Sequence, residues 1–148
     1  MPVTIRQASI ADLDVVTPLF DAYRQFYRAA ADLEAARRFL RERFSNLQSL
    51  ILLAFDREAA VGFTQLYPSF SSVSMARIYI LNDLFVSPET RGQGAGAALL
   101  RAAADFGRQA GAVRLELATE VTNTTAQAVY EHLGWQRNTG FYYYQLPI

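Results

Sequence analysis

Leu81-Asn82-Asp83-Leu84-Phe85-Val86-Ser87-Pro88-Glu89-Thr90-Arg91-Gly92-Gln93-Gly94-Ala95-Gly96 runs from an apolar, strand-like segment through a proline-marked break into the glycine-rich start of an alanine-rich helix. Glycines at such a corner let the backbone approach a ligand closely. The first-turn N–H groups of the helix that follows have no intrahelical partners, and the helix dipole favours an anion in front of them. Arg91 adds a fork of donors suited to phosphate. The stretch therefore predicts a strand–loop–helix corner that binds a phosphate-bearing ligand. The bland alternative, a glycine-softened turn with a solvated Arg91, is disfavoured by the strand before it and the helix after it.

Working outward, Val3 to Gln7 reads as a short strand, and Ser9 is placed to cap a helix beginning near Ala11. That helix carries Leu13, Val16, Leu19, Phe20 and Tyr23 at helical spacing, and Pro18 is expected to bend or restart it. Asp32 to Phe44 repeats the pattern, with an arginine-rich face best read as solvated. Leu50–Phe55 and Ala60–Tyr67 are strands joined by a hairpin turn at residues 56–59. A serine-rich loop, Ser69 to Ser74, leads to a third run from Arg77 to Val86. Gly94 to about Ala110 is a helix that Gly111 can cap, Val113 to Thr119 a strand, Thr124 to Leu133 a short helix stopped by Gly134, and Phe141 to Leu146 a last strand.

Composition removes whole classes of chemistry. The chain has 148 residues and no net formal charge; all 14 basic residues are arginine, cysteine is absent and His132 is the single histidine. A cysteine nucleophile, a disulfide framework, a thiolate or multi-histidine zinc site, a Schiff-base lysine and a Walker-type lysine are excluded. A serine triad would have to use His132, and no G-x-S-x-G run accompanies it. The length suits one domain over residues 1–148. No apolar run approaches the ~18 residues of a membrane span, and the N-terminus lacks a signal pattern, so a cytoplasmic protein is expected, with no membrane and no nucleic-acid partner.

Gly92-x-Gly94-x-x-Ala97 also matches a dinucleotide fingerprint, with Glu116 near the distance of a ribose-binding acid. Architecture argues against that rival, because a dinucleotide fold begins with its fingerprint strand and continues with further βαβ units, whereas here several strands precede the glycines. The stretch Leu81 to Gly96 instead resembles the acetyl-CoA signature of the GNAT superfamily of N-acetyltransferases. Asn123-Thr124-Thr125-Ala126 through Tyr130-Glu131-His132-Leu133-Gly134-Trp135 is similar to that family's later motif. The resemblance covers essentially the whole chain. It implies an α/β (α+β) GNAT fold, a central mixed, mostly antiparallel sheet of six to seven strands flanked by about four helices, and acetyl-CoA as co-substrate with no metal.

On individual positions, the resemblance implies that the backbone of Leu84, Phe85 and Val86 binds the pantetheine arm as an added strand. It assigns the pyrophosphate to Arg91, Gly92, Gln93, Gly94, Ala95, Gly96 and Ala97. Asn123 would touch the cofactor arm and Tyr130 would stand beside the sulfur. Each of the last two has a structural reading as well. Asn123 is a favoured helix cap, with Thr124 and Gln127 in a capping-box pattern, and Tyr130 lies on an apolar stripe.

Acetyl transfer needs little of the protein. The acceptor amine brings the nucleophile, and with no cysteine the transfer is direct. A thiolate of pKa ~8.5 leaves more readily with a proton, which a tyrosine of pKa ~10 can supply, and an alkylammonium of pKa ~10.4 must lose one before attack. Asp83 is the first candidate to receive that proton, placed by strand alternation on a face shared with Tyr79, Leu81 and Phe85; Glu120 is second, and a purely structural Asp83 stays open. The resemblance is to the small-amine and polyamine acetyltransferase branch, in which several members carry glutamate where Asn82 stands; that departure speaks against a polycationic acceptor and weakens the assignment of the base. Acceptor recognition is expected from Tyr23 to Arg28, Tyr27 among them, from the Phe70 loop, and from Phe141-Tyr142-Tyr143-Tyr144, which walls the site or forms a homodimer face. The leading expectation is acetylation of a small-molecule primary amine. The alternatives are a protein lysine or N-terminal acetyltransferase, and a non-catalytic acyl-CoA sensor.

Overall fold

The computed structural model describes residues 2–148, which separate into two compact units: a larger one ending at Ala118, and Thr119–Ile148. In the larger unit, strand β1 (Thr4–Gln7) is followed by a short 3-10 turn (Ile10–Asp12) and helix α1 (Leu13–Phe26). Ser9 starts the turn with a full capping box, its hydroxyl accepting from Ala11 N–H while Asp12 accepts from Ser9 N–H. Pro18 does not restart α1, which is continuous through it. Val16, Thr17, Leu19 and Phe20 bury the helix face around the proline, and tertiary packing of that face offsets the missing hydrogen bond. Helix α2 (Leu33–Ser45) is capped by the Asp32 side chain.

Strands β2 (Leu50–Asp56), β3 (Ala59–Ser71) and β4 (Ala76–Val86) extend the sheet as an antiparallel meander, with β1 on the outer edge of β2. Helix α3 (Ala95–Gln109) then crosses to β5 (Leu115–Glu116), which pairs in parallel with β4 at Tyr79 and Ile80. Period-2 alternation in β2 sends Ile51 and Leu53 to the core beneath α1 and α2, where they meet Val16, Phe20, Leu40, Phe63 and Phe85. The opposite face packs on α3, marked by the Tyr79–Phe106 ring pair at 5.3 Å. No helix among the described residues is long and apolar enough to cross a membrane.

Gly62 shows how tightly β3, β4 and α3 are fitted. A Cβ there would lie 2.7 Å from Phe85 O and 3.4 Å from a Leu99 methyl. Because the first clash is with backbone, a side-chain rotation cannot relieve it. Gly62→Ala is expected to cost about 1–3 kcal/mol, the usual cost of overpacking, read as a lower urea midpoint.

The second unit contains helix α4 (Thr124–His132), which ends at Gly134 with φ +97°. Among the described residues the sheet has five strands rather than six to seven. The predicted Val113–Thr119 strand shrinks to two residues, and Phe141–Leu146 forms no strand. β propensity measures fit to a pleated surface and needs a partner strand to become structure, and four consecutive aromatics carry no alternation to set a register. The predicted serine loop begins later than expected, since β3 and β4 stay paired out to Ser71 and Ala76.

Candidate active site

The site is organised by an irregularity in β4. Gln65 pairs with Asp83 but Leu66 pairs with Leu81, leaving Asn82 as an extra residue, a β-bulge. Residues opposite each other across a ladder share a face. Leu81 therefore goes with the α3 side, along with Tyr79, while Asp83 and Phe85 turn to the α1/α2 side. This corrects the expectation that Asp83 shares its face with Tyr79 and Leu81. The bulged Asn82 carbonyl accepts from the Tyr23 hydroxyl at 3.0 Å, tying α1 to the bulge.

Asp83 is 2% exposed. Its two carboxylate oxygens accept from Gln65 Nε2 at 2.6 Å and Asn82 Nδ2 at 2.8 Å. Burial pushes its pKa up, and those two hydrogen bonds pull the other way. Gln65 is itself fully buried, and its Oε1 has no hydrogen-bond partner. Asp83 lines a cavity of about 360 Å³ with Phe20, Tyr23, Arg24, Phe39 and Tyr67. Burial, with a contribution from the Asp83 charge, raises the Tyr67 phenol above its ordinary range, so it stays protonated; Arg43 opposes the shift. Gln65 and Tyr67 are absent from the sequence-based site. Their signal was a glutamine alternating with Phe63 and Tyr67 on one face of the strand.

Beyond Ile80 the β5 side of β4 has no further ladder. Ser87 N–H donates to Val61 O at 2.8 Å. Antiparallel alternation then directs the polar groups of Phe85 to β3 and those of Leu84 and Val86 to the open edge. Consistent with this, Val86 O accepts from Arg91 Nε at 2.9 Å. Of the three backbones expected to bind a cofactor arm, two are turned outward and Phe85 is not.

Past the edge, Gly92 and Gly94 hold φ +80° and +89°, a conformation that favours glycine, and a Cβ on either would meet nothing within 4 Å. Gly94 caps α3 without any side-chain hydrogen bond, which leaves the first-turn N–H groups of Ala95, Gly96 and Ala97 for a ligand. An unfilled glycine cradle, an uncapped helix start and an open strand edge in sequence fit a cofactor with an amide-bearing arm and a diphosphate. Gln93 is exposed beside the cradle. Arg91 lies at its entrance, its guanidinium 5.4 Å from the Phe85 ring and 5.6 Å from the Phe26 ring. Tyr27 ends α1, its ring 5.2 Å from both Tyr23 and Phe26.

Glu120, Asn123 and Tyr130 belong to the second unit. Asn123 caps α4, its Oδ1 accepting from Ala126 N–H at 3.2 Å. The predicted capping box of Thr124 and Gln127 does not form; Gln127 instead donates to the Glu120 and Val121 carbonyls, both at 3.1 Å. Glu120 is exposed. Tyr130 is half-buried, its ring 6.1 Å from that of Trp135.

The profile of the acetyltransferase (GNAT) family matches residues 16–135. The chain is 52% identical to the uncharacterized N-acetyltransferase YhfO of Bacillus subtilis (strain 168), over 97% of each chain. It is 37% identical to the thialysine N-epsilon-acetyltransferase of Bos taurus over 51% of this chain and 44% of that one. Among solved structures, a probable acetyltransferase superposes with TM-score 0.92 at 43% identity, covering 98% of this chain and 97% of the other.

Proposed function

Because the chain belongs to the acetyltransferase (GNAT) family and is an acetyl-CoA-dependent N-acetyltransferase, we propose that it transfers the acetyl group directly to a primary amine of a small molecule, with Asp83 receiving the amine proton and Tyr130 protonating the departing thiolate. The observation that carries the acceptor half is Asp83: a buried carboxylate, oriented by two amide donors, lining a cavity one residue before the open β4 edge. The name of the thialysine acetyltransferase relative, which specifies a small amino-acid acceptor for that protein, supports the same class.

When bound, acetyl-CoA supplies an electrophilic thioester carbon and a thiolate leaving group. The outward N–H and C=O of Leu84 and the N–H of Val86, whose carbonyl is held by Arg91, bind its arm in the manner of an added strand. Gly92 to Ala97 bind the phosphates through backbone amides at the dipole-positive end of α3, and Arg91 adds charge. Asp83 removes a proton from the acceptor ammonium, whose freed lone pair attacks the thioester carbon; as the C–S bond breaks, the nitrogen loses its second proton to solvent and the neutral amide is left. Tyr130 gives its hydroxyl proton to the sulfur and recovers one from solvent. Positioning supplies the rest of the acceleration.

The direct test is release of the CoA thiol on addition of acetyl-CoA and a panel of primary amines. No release with any amine, despite tight acetyl-CoA binding, would leave a sensor, and turnover with peptides alone would move the acceptor to proteins. The cradle has its own test. Gly94→Val places branched carbons in the space read as the phosphate site and forces a positive φ on a β-branched residue. Affinity for acetyl-CoA by calorimetry is expected to fall at least about tenfold, which is 1.4 kcal/mol, whereas unchanged affinity would remove the cradle from the binding site.

A further inference from the structure

We propose, resting on the acetyl-transfer reading above, that the cavity beside Asp83 selects a monoamine with an apolar, one-ring body and discriminates against polyamines. Four of the side chains that shape it are aromatic: Phe20, Tyr23, Phe39 and Tyr67. Phe20 and Phe39 stack at 5.6 Å with their planes 6° apart, and Phe20 also meets Tyr23 at 6.4 Å, so the rings form a continuous wall. A wall of this kind takes up an apolar body and stabilises a cation through the ring faces. At about 360 Å³ the space lies at the small end of ligand sites, which begin near 300 Å³.

Charge placement does the selecting. Asp83 is the one carboxylate among the residues lining the cavity, and Arg24 is the one other charged side chain there. Asp21, the buried carboxylate paired with Arg24, is 3% exposed and already accepts from Arg24 Nη1 at 2.8 Å and from Asp32 N–H at 3.1 Å. Asn82, at the bulge, donates its amide to Asp83 and, being neutral, brings no counter-charge for a second ammonium. One ammonium thus finds a counter-ion in Asp83. A second would be left among rings and beside a guanidinium, desolvated and unpaired, which is a strong penalty.

Initial rates with acetyl-CoA and 2-phenylethylamine, spermidine or L-lysine test this, together with thermal-shift titration of each amine against the protein without acetyl-CoA. The kcat/KM for 2-phenylethylamine is expected to exceed that for either of the others at least tenfold. Phe39→Ala should erode that ratio, mainly through KM for the aromatic amine. A preference for spermidine or lysine overturns the inference and leaves the acetyltransferase reading intact. Should no amine be acetylated, thermal stabilisation by 2-phenylethylamine alone, lost in Asp83→Asn, would uphold the monoamine site and sink the turnover reading; absence of that stabilisation would sink the monoamine site as well.

Discussion

Asp83→Asn is expected to lower kcat/KM for the amine by about 10²–10⁴-fold, the span of a general base, and at the same time to raise the unfolding midpoint at neutral pH. The loss follows from removing the group that takes the ammonium proton. The gain follows from burial. Desolvation raises the folded-state pKa of Asp83 above its unfolded value. As pH climbs through the unfolded value, the unfolded chain releases its proton first, so the native state is penalised, and the penalty is complete once pH passes the raised folded value. Asparagine carries no such penalty. It also lets the Gln65 amide turn so that Oε1, now without a partner, accepts from the new side chain. Urea titrations at pH 7 and near pH 4 check this, with the advantage of the variant expected only at the higher pH. In the wild type, activity should rise with pH through the raised Asp83 value, and that limb should vanish in the variant. A variant that keeps its turnover would make Asp83 structural.

Tyr130→Phe is expected to reduce kcat by about 10²-fold, the lower end for loss of a general acid, with acetyl-CoA affinity nearly unchanged. The substitution removes one oxygen and keeps the ring that faces Trp135 at 6.1 Å, so α4 retains its packing. If the hydroxyl protonates the leaving sulfur, the effect belongs to the chemical step and not to binding. Stopped-flow thiol release with calorimetry of acetyl-CoA separates the two. Equal loss of affinity and turnover would make Tyr130 a packing or binding residue, and unchanged turnover would remove it from the mechanism.

The glycine corner and the order of elements up to α3 could be read from the chain because their causes are local. Gly92 and Gly94 hold backbone angles that favour glycine, Asp32 caps the next N–H groups in line, and the apolar residues of α1 recur at helical spacing. The later strands were legible only as propensity. Val113–Thr119 and Phe141–Leu146 have strand-like composition, but a ladder depends on what lies alongside, and only Leu115–Glu116 found a partner in β4.

The Asp83 side of the site lay beyond local reasoning for the same cause. Alternation along β4 places Asp83 with Tyr79 and Leu81 as long as every residue has a partner; one unpaired residue at Asn82 reverses the count and turns Asp83 to the α1/α2 cavity. That bulge is a property of two strands fitted together. So is the contact of Gln65 with Asp83, between residues far apart in the chain. The sequence by itself determined the family, the donor and the glycine corner before α3, because each rests on residues adjacent along the backbone. Only the tertiary structure decided that Asp83 is buried, which backbone groups of β4 face outward and what lines the cavity beside Asp83, since each depends on register and packing between segments that no spacing rule connects.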